Sequence, residues 1–589
     1  MTVEEWDKIL RLYHSYGINC MRFHSHIPPE AAFTAADQMG MMMQPELSHW
    51  NPKNAFEADD SYEYYQKELK QTILWLANHP SFVMLTFGNE LWTGELGHHR
   101  MDLMVELAHS VDTTRLYANG SNPHYGNIGC DAASDFYTSQ KYFEHPLRGT
   151  FAGQIPGKGI EGYINNDYPS ATVSYDESMK HLRETYKKPV FSFEVGQFEV
   201  LPDFGELEEF HGISDPVNIR LIQEKADKLG LLDNWDAYVK ATGEISRIGY
   251  REEVEAAMRT EDMSGISLLG LQDFPGQGTA LVGMINSHMQ SKPFDFAKPE
   301  RFAPFFRAQL PLVALPKYTY EPGEVLEAEV RIANYGKTDM TGPIRYCLEG
   351  EGTKQCGELP AVICPAGGIT SAGTIKISLE GMTQAVRLDL TVEQDGVKNQ
   401  YPVWIYPAVK SVCPDKVYET KTLDEKAMQI LENGGSVYLA PDSEKEHLPS
   451  SIQAQFTSDF WSVGTFAAQE GGMGQLIDEK HPIFKNFPTE FHTNWQWWPM
   501  ASQRAVIFPH PVKAIVTEMD SYAYMRPMAQ LAEFRCGGGK LLFSSMGLQN
   551  LQQYPEGRAL LHAIYQYMDS EAFAPEEEIS VEEMRELVR

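Results

Sequence analysis

The chain has few cysteines, and their spacing matches no metal site. Seven cysteines are spread over 589 residues, and no CxxC pair or Cys/His cluster of zinc-binding spacing is present. Cys347, Cys356 and Cys364 lie close enough in sequence for one disulfide, but free buried thiols are the favoured interpretation. The sequence therefore predicts no metal site, and it implies no cofactor.

Long hydrophobic runs and a surplus of basic residues are also absent. No stretch reaches the 18 or so apolar residues of a membrane-spanning helix, and the N-terminal MTVEEWDKIL lacks the features of a secretory signal. Lys and Arg total 49 against 81 Asp and Glu, a net charge of −32. Neither nucleic acid nor a membrane is therefore expected as a partner. We expect a soluble protein of open localisation, cytoplasmic or, if a signal precedes this sequence, periplasmic or secreted.

The first half of the chain alternates regularly between helices and strands. The strands are short continuous apolar runs, which indicates parallel strands buried on both faces. Seven are counted by residue 274, namely INCMRF, MMMQPEL, FVMLTFGNEL, RLYANG, SDFYTS, PVFSFEV and GISLLGLQDF. The expected fold class is α/β, with a (β/α)8 barrel over residues 1–306, a fold that takes about 250 residues. Because the chain begins on a helix, we expect the first barrel strand to be missing or supplied from elsewhere.

Two further regions are predicted after the barrel. Residues 307–407 contain short alternating strands separated by Gly/Pro turns, which favours an immunoglobulin-like β-sandwich. In residues 408–589 helices return between strands, which favours an open, doubly wound α/β domain followed by an acidic, helical tail.

Four carboxylates end predicted barrel strands, where side chains line the active site in folds of this kind. They are Glu46, Glu90, Glu194 and Asp273. Glu194 lies among apolar neighbours in FSFEV, so its charge requires either a buried ion pair or a polar cavity. Two glutamates that face each other across a barrel mouth suit glycoside hydrolysis. One donates a proton and the other attacks the sugar, with the carboxyls about 5–5.5 Å apart when configuration is retained.

The run from residue 3 to about 300 resembles the catalytic barrel of glycoside hydrolase family 2. The matching segments are MRFHSHIPPEAAF, MMMQPEL, HPSFVMLTFGNEL, KPVFSFEVGQF and LLGLQDFPGQGTALVG. The resemblance implies that Glu90 is the acid/base, that Asn89 hydrogen-bonds the sugar 2-hydroxyl and that Glu194 is the nucleophile. It implies a retaining exo-β-glycosidase acting on a carbohydrate substrate, with β-galactosidase as the default activity. Glucuronidase ranks lower, because residues 276–286 lack the Asn-x-Lys clamp of those enzymes.

Several other residues are candidate substrate contacts. The set is His26, Tyr137, Gln272, Asp273 and Trp50. The resemblance favours His26 over His24 as the sugar-contacting histidine, and it lets Tyr137 hydrogen-bond the nucleophile. A structural histidine, a core tyrosine and a packing tryptophan are the alternatives for His26, Tyr137 and Trp50. Glu46 has the alternative of pairing with a cation.

Two other functions stay open at this point. One is an endo-β-glycanase of the same clan, and the other is a non-catalytic carbohydrate-binding or assembly protein with an incomplete barrel. The last region is similar to the glutamine-amidotransferase-like or flavodoxin-like group. It shows no convincing Cys/His/Glu triad, and its CGGGK lacks the spacing of a phosphate loop. We therefore expect it to serve packing or the formation of a homo-oligomer.

Overall fold

A computed structural model describes residues 1–122, 130–149, 154–155, 159–276 and 279–589. The barrel region contains helices and strands in alternation. Its helices are α1 Val3–Ser15, α2 Glu30–Met39, α3 Asp59–Leu76, α4 Glu95–Val111, α5 Tyr163–Asn166, α6 Asp176–Arg183, α7 Val217–Lys228, α8 Trp235–Met258 and α9 Pro299–Phe302. Its strands are β1 Cys20–Phe23, β2 Met42–Pro45, β3 Met84–Thr86, β4 Leu116–Ala118, β5 Tyr137–Ser139, β6 Lys141–Tyr142, β7 His145–Pro146, β8 Gln154–Ile155, β9 Gly159–Ile160, β10 Val190–Gly196 and β11 Gly265–Leu269.

Seven of these strands pair in parallel, in the order β1, β2, β3, β4, β5, β10, β11. Regular ladders join β1 to β2, β3 to β4, β5 to β10 and β10 to β11. Single parallel bridges, Met43 to Phe82 and Ser121 to Thr138, connect these pairs into one curved series. The short buried runs in the sequence thus form the strands of a barrel, and this prediction is confirmed. All seven carboxyl ends lie at the same edge.

Residues beyond β11 continue the parallel pairing. Ile285 forms a parallel bridge with Gln272, and its amide donates to the Leu271 carbonyl at 2.9 Å. Helix α1 contacts this segment, since the Tyr13 hydroxyl donates to Gln272 Oε1 at 2.7 Å, and just after the helix the Tyr16 hydroxyl donates to the Ala297 carbonyl at 2.5 Å. The last strand is therefore flanked by later residues of the same chain and fastened to its first helix.

The second region is a sandwich of two sheets. Its strands are β12 Gln309–Ala314, β13 Thr319–Tyr320, β14 Val325–Asn334, β15 Ile344–Gly350, β16 Thr353–Leu359, β17 Gly368–Ser378, β18 Val386–Gln394 and β19 Val397–Ile405. One sheet has the order β12-β14-β17 and the other β13-β19-β18-β15-β16. The expectation of free thiols is wrong for two cysteines. Cys347 and Cys356 face each other across β15 and β16, with Cα atoms 4.0 Å apart, and form a disulfide.

The C-terminal region is built on one mixed sheet. Its strands are β20 Val417–Thr420, β21 Ser436–Leu439, β22 Ser451–Gln453, β23 Gly472–Ile477, β24 Arg504–Ile507, β25 Val516–Asp520, β26 Met528–Cys536 and β27 Gly539–Ser544, and its helices are α10 Glu425–Glu432, α11 Trp498–Ala501, α12 Pro555–Asp569 and α13 Val581–Leu587. Strands β20, β21 and β27 are parallel, whereas β22, β24, β26 and β27 pair antiparallel in series. The doubly wound prediction is therefore wrong for that half, where a crossover helix does not separate each pair of neighbouring strands.

Helix α8 joins the three regions. Most of its residues are buried, and it packs on β10 and on β23. Its buried Glu255 accepts hydrogen bonds from the Tyr401 hydroxyl at 2.7 Å and the Asn399 amide at 3.1 Å, both in the sandwich. Just after the helix, Arg259 donates to Glu252 Oε1 at 2.7 Å and to the Val173 carbonyl at 2.8 Å. A buried charge network therefore fixes the helix behind the barrel.

We predict that Arg259→Met destabilises the protein strongly. Arg259 is 2% exposed, and its loss leaves Glu252 without its buried counter-charge, which costs about 3–5 kcal/mol. Urea denaturation followed by tryptophan fluorescence measures the change. The matched control is Arg345→Met, which removes an exposed ion pair with Glu358 and is expected to change stability by less than about 1 kcal/mol. Equal effects of the two substitutions would contradict the structural role of the network.

Candidate active site

Strained backbone is concentrated at the carboxyl edge of the barrel strands. Among the described residues, fifteen that are not glycine have positive φ, and six of them lie at this rim: Ser25, Asn51, Glu90, Asn122, Glu194 and Gln197. The φ angles of the two candidate catalytic glutamates are 49° for Glu90 and 54° for Glu194. Such conformations persist where the surroundings over-determine them, which is typical of functional sites. The backbone thus indicates a site at the edge that the sequence predicts.

Arg22 connects the candidate residues. From β1, its Nε and Nη2 atoms donate to the two carboxylate oxygens of Glu46, at 2.7 and 3.2 Å. Its Nη1 donates to Glu194 Oε1 at 3.1 Å and its Nη2 to Asn89 Oδ1 at 2.6 Å. The guanidinium carbon lies 4.6 Å from the centre of the Phe193 ring. One guanidinium therefore sets the relative positions of three polar side chains from three other strand ends. The sequence analysis missed this residue, although it stands within the MRFHSH motif.

Glu46 is the buried counter-ion of Arg22. It is fully buried and accepts further hydrogen bonds from the Thr86 hydroxyl at 3.0 Å, the Ser25 amide at 2.7 Å and the Ser121 hydroxyl. Burial alone would raise the pKa of Glu46, but Arg22, the nearby His24 and the Ser121 hydroxyl hold that pKa below its usual value. The interpretation of Glu46 as the partner of a cation agrees with this geometry.

Glu194 combines burial with two opposing electrostatic influences. It is 5% exposed. Its pKa is raised to about 7, because burial and the charge of Glu90, which raise it, outweigh Arg22 and Arg148, which lower it. The influence of Glu90 places the two carboxyls within electrostatic reach of each other across the strand ends. Glu194 can therefore change its protonation state near neutral pH, while Arg22 favours the ionised form.

Asn122 orients the second glutamate. Its Nδ2 atom donates to Glu90 Oε1 at 3.3 Å, and its Oδ1 accepts from the Ser139 hydroxyl and the Gln140 amide, both at 3.1 Å. The Glu90 amide donates to the Ser121 carbonyl at 2.8 Å. Glu90 itself is only partly buried. Its carboxyl is thus held by a fixed amide while remaining accessible from solvent, as a proton donor to a bound molecule must be. Sequence reasoning missed Asn122, which follows the strand RLYANG.

The chain turns sharply after Glu194. Gly196 has a φ of 103°, and a Cβ there would lie 2.0 Å from the Tyr250 ring, so only glycine fits. The Gly196 amide donates to Glu253 Oε2 at 2.6 Å. Arg148 donates to the Gly196 carbonyl at 3.2 Å and to Gln197 Oε1 at 2.7 Å. The backbone that follows the candidate nucleophile is therefore held on several sides.

Three aromatic residues lie near the Asn89–Glu90 loop. Trp50 forms a parallel bridge with Asn89 and is 52% exposed, and its ring contacts that of His24 edge-on at 5.8 Å. Trp92, which the sequence analysis did not select, is 47% exposed. Burial and the charge of Arg22 lower the pKa of His24, whereas Glu46 and Glu90 oppose that shift. Trp50 and His24 thus lie with the candidate catalytic carboxylates at the rim.

Other predicted contacts are placed differently. His26 is exposed, and its carbonyl accepts from the Glu46 amide at 3.2 Å. The turn at Ser25 places His24, and not His26, beside the charged groups, and the choice of His26 as the sugar-contacting histidine stays a prediction. Tyr137 is also misplaced, since it begins β5 instead of ending it, and its hydroxyl donates to the Lys141 carbonyl at 2.8 Å within a hydrophobic cluster.

The two residues after the last strand support the fold. Asp273 is buried and accepts from Lys292 Nζ at 2.9 Å and from the Gly283 amide at 2.7 Å. Burial raises its pKa to about 6 against the opposing charge of Lys292. Gln272 accepts a hydrogen bond from the hydroxyl of Tyr13. Both side chains hold the segment after β11 in place, so the expectation that they contact a sugar is not met by these hydrogen bonds.

No group of three or more His, Cys, Asp or Glu side chains among the described residues could hold a metal ion. Within the same residues, none of the helices combines the length and apolar character that crossing a bilayer requires.

Comparison with known families identifies the barrel. Residues 2–214 match the family model "Glycosyl hydrolases family 2, TIM barrel domain". The resemblance found in the sequence is thereby confirmed. Residues 324–407 and 418–589 match two models, each described as a domain of unknown function (DUF8488 and DUF8487). No curated protein matches the chain.

Several solved structures are similar to the chain. A β-D-mannosidase from Dictyoglomus thermophilum is 14% identical, with 68% of this chain and 48% of that chain covered and a TM-score of 0.45. An exo-chitosanase from Amycolatopsis orientalis is 12% identical, with coverages of 69% and 47% and a TM-score of 0.43. A β-glucuronidase from Parabacteroides merdae is 13% identical, with coverages of 71% and 47% and a TM-score of 0.34. The chain spans about half the length of these enzymes.

We predict that Glu194→Gln stabilises the protein at alkaline but not at acidic pH. The folded pKa of Glu194 is about 7 against an ordinary 4.5. Between these values the folded state holds a proton that the unfolded state releases. The free energy of unfolding therefore falls as pH rises through this window. The gain at pH 8 should be about 3 kcal/mol and should vanish near pH 4. Urea denaturation at both pH values tests it, with the exposed Glu208→Gln as the control. The same gain at both pH values would contradict the raised pKa.

Proposed function

We propose that the chain is a retaining exo-β-glycosidase that removes terminal β-linked sugars, with β-galactosidase as the default activity. The observation that carries this proposal is the Arg22 cluster. Its guanidinium binds both Glu194 and Asn89, the neighbour of Glu90, at the carboxyl edge of a barrel that matches family 2. This reaction requires at least two carboxyl groups in different environments at one barrel mouth.

The roles of the two glutamates follow from their surroundings. Glu194 is buried and contacts Arg22, which favours its ionised form, so it is suited to attack the anomeric carbon and form a glycosyl-enzyme. Glu90 is more accessible and held by Asn122, so it is suited to protonate the departing oxygen. It then removes a proton from the water that releases the sugar.

The remaining side chains would bind and orient the sugar. The Nδ2 atom of Asn89 lies 3.5 Å from Asn51 Oδ1, while its Oδ1 is fixed by Arg22. We propose that this amide hydrogen-bonds the sugar 2-hydroxyl, a contact that strengthens in the transition state. Trp50 offers an exposed ring beside it, suited to stacking on a sugar face.

Two finer assignments accompany this proposal. We regard residues 307–407 as an immunoglobulin-like sandwich, supported by the two facing sheets and the antiparallel ladders. We regard residues 408–589 as a non-catalytic region that serves packing or self-association. Both assignments, and the divisions at residues 306 and 407, rest on the sequence pattern and on the arrangement of the sheets.

We predict that the full chain hydrolyses aryl β-glycosides with retention. Proton NMR of the first product should show the β-anomer before mutarotation. Glu194→Gln should abolish turnover, and Glu90→Gln should lower kcat by about 10²–10⁴ on substrates with poor leaving groups. Glu208→Gln serves as the exposed control. An α-anomer as the first product, or undiminished hydrolysis by Glu194→Gln, would refute the mechanism. Absence of hydrolysis across galactosides, glucosides and mannosides would favour the non-catalytic alternative.

We also predict an acidic limb of kcat/KM near pH 7. The nucleophile must be ionised, and burial raises the pKa of Glu194 to about 7, so kcat/KM should fall about tenfold per pH unit below that value. Arg22 lowers this pKa, so Arg22→Lys, which cannot reproduce the fork of hydrogen bonds, should move the limb to higher pH. The control is Arg11→Lys, in an exposed pair with Asp7. A limb that stays in place in Arg22→Lys would contradict the assignment of the limb to Glu194.

A further inference from the structure

The C-terminal region pairs directly with the backbone that follows the nucleophile. Residues 197–199 and 459–461 form a short antiparallel ladder, which we name the strap. The Trp461 amide donates to the Gln197 carbonyl at 2.8 Å, and the Glu199 amide donates to the Asp459 carbonyl at 2.8 Å. Phe198 and Phe460 are bridge partners between these two bonds. Strand β10, which contains Glu194, therefore leads within three residues into hydrogen bonds with another region of the chain.

Arg148 and Glu253 reinforce the barrel side of the strap. Arg148 donates to the side chain of Gln197 and to the carbonyl of Gly196, and its guanidinium carbon lies 5.6 Å from the centre of the Phe460 ring. Glu253 accepts the Gly196 amide and pairs with Arg148 at 3.8 Å. Arg148 thus touches both partners of the ladder.

The C-terminal side of the strap is equally fixed. Gln469 holds the backbone of Phe460 twice, since the Phe460 amide donates to Oε1 at 2.6 Å and Nε2 donates to the Phe460 carbonyl at 3.0 Å. Trp461 is 5% exposed and packs with Ala280 and Val282, and its ring lies 6.2 Å from that of Phe274. The strap therefore also reaches the loop after the last barrel strand.

These contacts matter because the nucleophile segment is strained. Glu194 and Gln197 have φ angles of 54° and 74°, and Trp461 opposite them has 61°. Left-handed conformations at non-glycine residues are costly and relax unless the surroundings enforce them. On the barrel side, Arg148 and Glu253 hydrogen-bond to Gly196 and Gln197. The C-terminal side of the strap adds the backbone hydrogen bonds to Gln197 and Glu199. A displacement of about 1 Å at a reacting group can cost a factor of about 100 in rate.

We propose that the C-terminal region is a working part of the catalytic site, in which the strap holds the segment after Glu194 and thereby positions the nucleophile. Trp461 and Gln469 are the positioning residues. This inference rests on the proposed glycosidase function and goes beyond a role in packing or self-association for residues 408–589. It assigns to the region of unknown function an effect on the chemical step in the barrel.

The test compares Trp461→Ala and Gln469→Leu with Trp461→Phe in the full chain. The first two should lower kcat on aryl β-glycosides about 10- to 100-fold with little change in KM, while Trp461→Phe, which keeps the ring, should stay close to the wild type. Phe508→Ala removes a buried aromatic side chain that packs on Phe534 and Phe543 in the C-terminal region. This control should lower stability without lowering kcat at a temperature where all variants are folded.

Amide hydrogen exchange supplies a readout that does not depend on turnover. Peptides covering residues 190–199 should lose protection in Trp461→Ala and Gln469→Leu but not in Phe508→Ala. Lost protection with an unchanged kcat would overturn the proposal, as would equal losses of kcat in the variants and the control. If the wild type hydrolyses no glycoside, the proposed function fails, whereas the exchange result still decides whether the strap holds the nucleophile segment.

Discussion

The candidate site depends on a guanidinium that is buried among polar side chains. A buried cation is tolerated only where its charge and donors are matched, and Arg22 meets this condition by binding Glu46, Asn89 and Glu194 together. Because these partners follow or lie on β2, β3 and β10, the position of each strand end relative to β1 is restricted. The same contacts give Glu46 and Glu194 different electrostatic surroundings. Glu46 is fully engaged as a counter-ion, while Glu194 keeps a raised pKa near neutrality.

The parts of the molecule beyond the barrel constrain the same residues from behind. Helix α8 packs on β10 and brings Glu253 to the Gly196 amide. Its Glu255 binds Tyr401 in the sandwich, and its outer surface meets β23. The strap adds two backbone hydrogen bonds from the C-terminal region. The strained conformation of Glu194 is therefore held by contacts from the barrel and the strap, with the sandwich acting only through helix α8, and this explains how a left-handed glutamate can persist at a strand end.

Much of this arrangement could be predicted from the sequence, because it depends on local patterns. Continuous apolar runs indicated the parallel strands, and their ends selected Glu90 and Glu194. The hydrogen-bond partners of Arg22 could not be predicted, since they come from strands far apart in the chain. The turn at Ser25 reversed the placing of His24 and His26. Strand β5 begins at Tyr137 instead of ending there, which places this side chain in the core. The cross-strand disulfide and the antiparallel half of the last sheet depend on tertiary pairing, which cysteine spacing and helix alternation do not encode.

The most direct test of the account is covalent trapping. The full chain would be incubated with an activated 2-deoxy-2-fluoro β-glycoside, which slows breakdown of a glycosyl-enzyme, and then examined by intact mass and peptide mapping. The account predicts a mass increase of one glycosyl unit per chain, located at Glu194 and absent in Glu194→Gln. Labelling at another residue, or none with any of the galactosyl, glucosyl and mannosyl reagents, would contradict the assignment of Glu194 as the nucleophile of a retaining glycosidase.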